Sequence, residues 1–181
     1  MIILTILIIC IFLLCVLKVP NKIMKILYPI EYENLVTLYS QEYQVDEYLI
    51  YAIIKAESNF EIDAVSSKGA KGLMQLMENT AKDVVKRVNI DISSEDLSEK
   101  LLEPDININL GTKYISILLQ KYGNIPVALT AYNAGIGTVD NWIEKGIIKE
   151  NGEDIENVPY KETNQYVRKI LGSYKIYREL Y

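Results

Sequence analysis

Between Asp46 and Asn59 the chain carries an apolar stripe that ends on an acid. Leu49, Ala52, Ile53 and Ala56 recur at i, i+3, i+4 and i+7, the spacing that lines one face of an α-helix. Asp46 is placed to cap its start, and Asn59 with the polar run after it to end it. Glu57 stands one turn past Ile53, so its carboxyl projects beside the stripe in the last turn. Burial against Ile50, Ile53 and Ile54 penalises the charged form, and so does the negative end of the helix dipole. These effects predict a carboxyl that keeps its proton near neutral pH, as a general acid must. A solvated Glu at a helix end, paired with Lys55 or Lys71, is the plainer account of the same residues taken alone.

The helical period recurs along the rest of the chain. Residues 30–43 put Tyr32, Leu35, Val36 and Tyr39 on one face. Asn79 is a candidate cap for a helix carrying Ala81, Val84, Val85 and Val88. Residues 90–103 are polar and read as a loop with a short helical turn. From Asp105 to Tyr122 the period is carried by Ile108, Gly111, Ile115, Leu118, Leu119 and Tyr122. Pro126 opens a further helix that Gly135 closes in the left-handed conformation, and Val139 and Trp142 begin another. Residues 146–159 are acidic and loop-like, a solvated face. A last helix runs from about Lys161 to Tyr177, with Tyr166, Ile170, Tyr174 and Tyr177 on one side and Glu162 one turn before Tyr166.

Composition removes whole classes of chemistry. The 181 residues include no His, and both cysteines, Cys10 and Cys15, fall in the N-terminal apolar run. That excludes a Ser-His-Asp triad, a Cys-His nucleophile, a His-ligated zinc site and a disulfide framework. Asp105-x-Asn107-x-Asn109 has the look of a calcium loop, but Leu110 stands where Gly is needed and Ser116 where a bidentate Glu is needed. No metal and no cofactor are expected. A net charge of −5 argues against a nucleic-acid partner, whose phosphates require a basic face. Fourteen Tyr against two Phe and one Trp suit a sugar cleft, since a phenol offers both an apolar face and a hydroxyl.

Ile2 to Leu17 contains no charge and only Thr5 as a polar residue. The run falls slightly short of the ~20 residues that cross a bilayer core, and Lys18 and Val19 extend it. It has no basic start and no small-residue cleavage site, so residues 1–20 read as a retained membrane anchor, followed by a linker over 21–29. Lys18, Lys22 and Lys25 follow the run, which by the positive-inside rule favours a cytoplasmic domain.

Glu57-Ser58-x-Phe60, Ala64-Val65-Ser66, Gly69-Ala70-x-Gly72-Leu73-Met74-Gln75 and Thr80-Ala81 come in an order and spacing that resembles the catalytic core of the soluble lytic transglycosylases, relatives of goose-type lysozyme. Ala131-Tyr132-Asn133-Ala134-Gly135 and Glu162-Thr163-x-x-Tyr166-Val167 extend the match, as does the Asn107-Ile108…Gly111 stretch. The resemblance implies one all-α, lysozyme-like domain over 30–181, with a small irregular or β-hairpin-like loop near Gly69 to Gln75, preceded by the N-terminal transmembrane helix. It also implies export, so that the domain faces the cell wall, against the direction of the lysine count.

By the same resemblance Glu57 is the catalytic acid and base, and Tyr132 lies against its carboxyl. Asn133 lines the sugar groove, with Ser58, Ser66, Met74 and Gln75 on its glycan-binding side. Glu162 and Tyr166 border the groove opposite the catalytic helix. Ser58 could hold the Glu57 side chain or a groove water, Gln75 could offer its amide to the sugar, and the glycines could let backbone approach it. The implied substrate is peptidoglycan, cut between N-acetylmuramic acid and N-acetylglucosamine with formation of a 1,6-anhydro ring by an enzyme that is monomeric. Glu61-Ile62 and Glu78 depart from a frequent Asn-Pro and a frequent Pro of the family. A hydrolytic muramidase, or a non-catalytic wall-binding scaffold tethered to the membrane, are the alternative readings.

Overall fold

The computed structural model describes residues 19–88, 92–93 and 96–181. The anchor reading therefore falls almost wholly outside the described residues, among which no helix is long and apolar enough to cross a membrane. In chain order the described helices are α1 (Val19–Leu27), α2 (Glu33–Tyr43), α3 (Glu47–Glu57), α4 (Glu78–Val85) and the single turn α5 (Leu97–Lys100). They continue with α6 (Pro104–Tyr122), α7 (Ile125–Ala134), α8 (Ile136–Glu144) and α9 (Lys161–Leu180). Residues 21–27, within the stretch read as a linker, are helical.

Helix α3 is the axle of the fold. Leu49, Ile50, Tyr51, Ala52, Ile53 and Ile54 are all buried to within 1% of their surface, so α3 is enclosed on every side rather than along one stripe. Each of its large aliphatic side chains contributes roughly 1.5–3 kcal/mol on burial. The unbroken apolar run from Leu49 to Ile54 is the sequence counterpart of that enclosure. Helix α9 packs along α3, and α2 packs on both α3 and α6. Helix α7 is held between α6 and α9, while α4 rests on α6 over a second small core of Leu76, Ala81, Val84, Leu97, Leu101 and Leu110.

Local chemistry explains most helix ends. The Asp46 side chain accepts from the Tyr48 N–H, as a cap should. Pro104 sits in the first turn of α6, and Gly123, with φ 63°, supplies the left-handed residue that ends it. The Asn124 side chain then caps α7 through the Val127 N–H at 3.1 Å. Two expected caps differ. Asn79 lies inside the first turn of α4, which starts at Glu78 after an extended Met77. Gly135 does close α7, but at φ 89° and ψ 146° it is not in the left-handed helical region. That backbone, open to glycine almost alone, turns the chain straight into α8.

The loop between α3 and α4 is hairpin-like. Lys71 forms antiparallel bridges with both Val65 and Leu76. Asp105, Asn107 and Asn109 lie within α6 and serve three separate contacts: Asp105 accepts from the Tyr39 hydroxyl, Asn109 from the Tyr43 hydroxyl, and Asn107 holds the loop.

Candidate active site

Glu57 is the last residue of α3, and the chain reverses at once behind it. Ser58 and Asn59 donate their N–H groups back to the Ile54 carbonyl, and Asn59 and Phe60 both take positive φ values, 52° and 68°. A bulky residue such as Phe rarely adopts that backbone, and here its ring is buried in the main core, which holds the turn in place. Gln75, with φ 46°, is a third such position in the adjoining loop.

The loop is fastened to the helices from beneath. Asn107 is wholly buried and makes three bonds: its Oδ1 accepts from the Met74 N–H at 2.7 Å, and its Nδ2 donates to the carbonyls of Lys71 at 2.9 Å and Leu101 at 2.7 Å. Gly72 is required twice over. Its φ is +74°, and a Cβ there would stand 2.2 Å from the Leu101 carbonyl and 2.4 Å from the Asn107 amide nitrogen. Its closeness is thus to α6 and the chain leading into it. Ser58 acts as a clip: its hydroxyl is buried and donates to the Leu73 carbonyl at 2.9 Å, joining the end of α3 to the loop rather than holding Glu57.

The carboxyl itself meets α9. The Tyr166 hydroxyl donates to Glu57 Oε1 at 2.6 Å. Lys169, one turn further along α9, donates from Nζ to the Ala56 carbonyl at 2.8 Å. Desolvation raises the Glu57 carboxyl to about 7, against an opposing pull from the Tyr166 bond and the Lys169 charge. Neither of the expected lysines pairs with it: Lys55 bonds Asn59, and Lys71 bonds Ser98. Tyr132 donates to the Met74 carbonyl at 2.8 Å, and its ring packs at 5.1 Å on Tyr114. Burial first, then the Glu57 charge, lifts the Tyr132 and Tyr166 phenols well above their ordinary range, so both remain proton donors.

The other expected site residues fall into three groups. Met74 has a fully buried side chain, seated against Gly111, where an added Cβ would meet its sulfur at 2.4 Å; it is a core residue, and only its backbone serves the site. Gln75 spends its amide donors on the carbonyls of Ala64 and Gly72, both at 2.9 Å, so it braces the loop rather than offering those donors to a sugar. The Ser66 hydroxyl accepts from the Ala70 N–H at 2.9 Å and closes the tip of the hairpin. Asn133 is exposed and accepts from the Thr163 hydroxyl at 2.7 Å, while Glu162 stands exposed in the first turn of α9. Thr163, Asn107 and Lys169 escaped the sequence reading as site residues. The motif pairs that contain or border them, Glu162-Thr163 and Asn107-Ile108, were the available signal for the first two.

A cleft of about 610 Å³ runs beside Tyr114, between α4 and the α7–α8 corner, with Thr80, Arg87 and Gly135 among its walls. The arrangement as a whole offers one carboxyl that exchanges its proton near neutral pH, partly accessible, fixed by a phenol that cannot ionise there. Glu61 and Asp63, the carboxylates nearest in the chain, are exposed on the loop.

Residues 34–155 match the Transglycosylase SLT domain family. The soluble lytic murein transglycosylase of Salmonella typhimurium is 35% identical over 154 residues, which cover 83% of this chain and 23% of that protein. The membrane-bound lytic murein transglycosylase C of Edwardsiella ictaluri is 35% identical over 183 residues, covering 90% of this chain and 50% of that one. The solved structure of an inactive glutamate-to-glutamine mutant of the lytic transglycosylase Slt from Pseudomonas aeruginosa superposes with a TM-score of 0.77 at 34% identity, over 86% of this chain and 25% of that one. The chain thus spans from about a quarter to a half of the length of these relatives.

Proposed function

This chain belongs to the transglycosylase SLT-domain family, and on that premise we propose that it is a peptidoglycan lytic transglycosylase in which Glu57 is the only acid and base. The observation that carries the reading is the Glu57 carboxyl, raised to about 7 by burial, with Tyr166 and Lys169 as the groups acting on it and no carboxylate among them. A glycosidase that uses two carboxylates needs the second within about 5–9.5 Å of the first. One carboxyl poised between its two protonation states suits a mechanism in which the same group gives a proton and then takes one.

Protonated Glu57 donates to the glycosidic oxygen between N-acetylmuramic acid and N-acetylglucosamine, and the N-acetylglucosamine side leaves as an alcohol. The muramyl acetamido oxygen stabilises the positive anomeric carbon. Glu57, now a carboxylate, removes the proton of the muramyl O6 hydroxyl as that oxygen bonds to the anomeric carbon and closes the 1,6-anhydro ring. Water is not consumed, and neither metal nor cofactor enters. Ring closure is favoured because effective molarities of well-oriented intramolecular attack reach about 10⁵ M or more. Tyr166 holds the carboxyl at 2.6 Å and steadies it when ionised. Tyr132, through the Met74 carbonyl, fixes the loop edge, and Asn133, Glu162, Ser66 and Gln75 shape the walls around the glycan.

We place the enzyme on the wall side of the membrane, with residues 1–20 as its anchor. The uncharged run from Ile2 to Leu17 supports this, and so does the presence of a membrane-bound relative among the matches. The test is digestion of purified peptidoglycan by the wild type and by Glu57→Gln, followed by mass analysis of the soluble products. Products lighter by one water than hydrolytic fragments, absent with the variant, support the proposal. Products of full hydrolytic mass would assign a muramidase instead, and an active Glu57→Gln would remove Glu57 from the mechanism.

A further inference from the structure

Helix α1 wears its apolar side outward. Met24, Lys25 and Tyr28 face α9: the Tyr28 ring meets Tyr177 edge-on at 5.5 Å, the Tyr181 hydroxyl donates to the Tyr28 carbonyl at 3.0 Å, and the Lys25 ammonium lies 4.5 Å above the Tyr181 ring. At 100° per residue the opposite side carries Ile23, Ile26 and Leu27. These three are 51%, 77% and 52% exposed, three large aliphatic side chains together on a helix of nine residues. A water-facing helix would carry polar residues there.

We propose that this face of α1 lies in the headgroup region of the membrane, so that the domain is docked on the bilayer surface rather than swinging on a tether. The inference rests on the reading of residues 1–20 as an anchor. Only Lys18 separates the uncharged run Ile2 to Leu17 from the first residue of α1. At about 3.5 Å per residue that spacing leaves α1 within about 7 Å of the point where the run leaves the hydrocarbon, so lipid is what its outer face meets. Helices that lie in this layer bury an apolar face and set cations at its edge. Ile23, Ile26 and Leu27 supply the face, and Lys22 a charge that anionic lipid phosphates attract. Because α1 is tied to α9, and Tyr166 lies eleven residues before Tyr177 on that helix, the active site is held about 16 Å along the helix axis from the seam. Docked in this way, the enzyme reaches glycan strands lying against the membrane and not those deep in the wall.

Spin labels placed singly at Ile8, Ile26 and Gln165, in a full chain with Cys10 and Cys15 changed to Ser, test the proposal in vesicles of phosphatidylethanolamine and phosphatidylglycerol. Collisions with oxygen report lipid, and collisions with a water-soluble nickel complex report solvent. The expected result is a several-fold higher ratio of oxygen to nickel collisions at positions 8 and 26 than at the exposed position 165. A lipid signature at 8 with a solvent signature at 26 would overturn the docking while leaving the anchor. Solvent signatures at both would overturn both. A position 26 shielded from both reagents would show that protein, from this chain or a second copy, covers the face, and would overturn the docking as well.

Discussion

Helices α3 and α9 are joined by the same bond at both ends, and only one end is chemically poised. At the start of α3 the Tyr174 hydroxyl donates to Asp46 Oδ2 at 2.7 Å, and at its finish Tyr166 donates to Glu57 Oε1 at 2.6 Å. The two phenols are eight residues apart on one helix that runs antiparallel to α3. Asp46 is exposed and also caps the Tyr48 N–H, so water and backbone share its charge. Glu57 has the desolvating core on one side and the unfavourable end of the helix behind it, and burial lifts it to about 7. A phenol bonded to a carboxylate favours the ionised form wherever it occurs; what separates strut from acid is how much water the carboxyl keeps.

The largest break in that comparison is Glu57→Gln. Loss of a general acid lowers the rate by about 10² to 10⁴-fold, whereas Asp46→Asn leaves turnover unchanged in the same assay. Stability moves the other way. The folded protein holds the Glu57 proton more tightly than the unfolded chain, so its contribution is complete below the unfolded value of 4.5 and is lost as pH rises through about 7. Above that range the ionised carboxyl costs the fold about 3 kcal/mol at 1.36 kcal/mol per unit. Thermal unfolding at pH 8 therefore finds Glu57→Gln more stable than the wild type, and at pH 4 the gap closes. A variant no more stable at pH 8 would mean that the carboxyl is solvated like that of Asp46.

Tyr166→Phe comes next. The phenol favours the carboxylate, so its removal raises Glu57 further. The falling limb of kcat/KM, set by loss of the acid's proton, begins near 7 in the wild type and moves to higher pH in the variant. The rate at the optimum falls as well, because the carboxyl loses the one side-chain hydrogen bond it makes among the described residues, worth about 1.5–3 kcal/mol for a charged partner. Tyr174→Phe leaves the limb where it was. A shift of equal size in both variants would show that the two ends are not distinct.

How far the sequence reveals this asymmetry follows from the range over which each signal acts. Asp46 is legible because a cap bonds two residues away, and Glu57 because a helical period fixes its height on α3. The bonds that give each acid its character span 109 and 128 residues, and a period of 3.6 names a face without naming what it meets. Thus family resemblance put Tyr132 against the carboxyl, whose charge acts on its phenol, but it did not say that the bond to Glu57 comes from Tyr166. Met74 and Ser58 read as glycan-side residues from their motif, yet the packing of Gly111 and the Leu73 carbonyl claims both. The helical content was readable because most helices carry their own stripe and stop signal, whereas the lysozyme-like arrangement came from the motif resemblance. Asn107 stayed hidden because a wholly buried amide in mid-helix looks, in one dimension, like any polar residue.

Asp46→Ala sharpens the strut end. It removes a cap and a phenol bond together, and exposed interactions of this kind sum to about 1–2 kcal/mol. The unfolding free energy falls by that amount at neutral pH, with the pH profile of turnover intact. A displaced profile would imply that the two ends of α3 communicate through the helix.

The smallest effect belongs to Lys169. Its ammonium is bonded to the Ala56 carbonyl and pulls the Glu57 carboxyl downward, but Lys169 is itself exposed, so solvent screens most of that pull. On α3, Lys55 repels it, and on its own helix the neutral phenol of Tyr166 holds the acid. Lys169→Met therefore raises the falling limb of kcat/KM by a fraction of a pH unit, in the same direction as Tyr166→Phe but by less. Lys169→Arg keeps the charge and restores the wild-type limb. A helix-end cation also steadies the last turn of α3 by about 0.3–1 kcal/mol, so both variants need their melting temperatures measured alongside. If Lys169→Met shifted the melting temperature but not the limb, the lysine would be a peg for the helix end, and the tuning of Glu57 would rest on burial and Tyr166 alone.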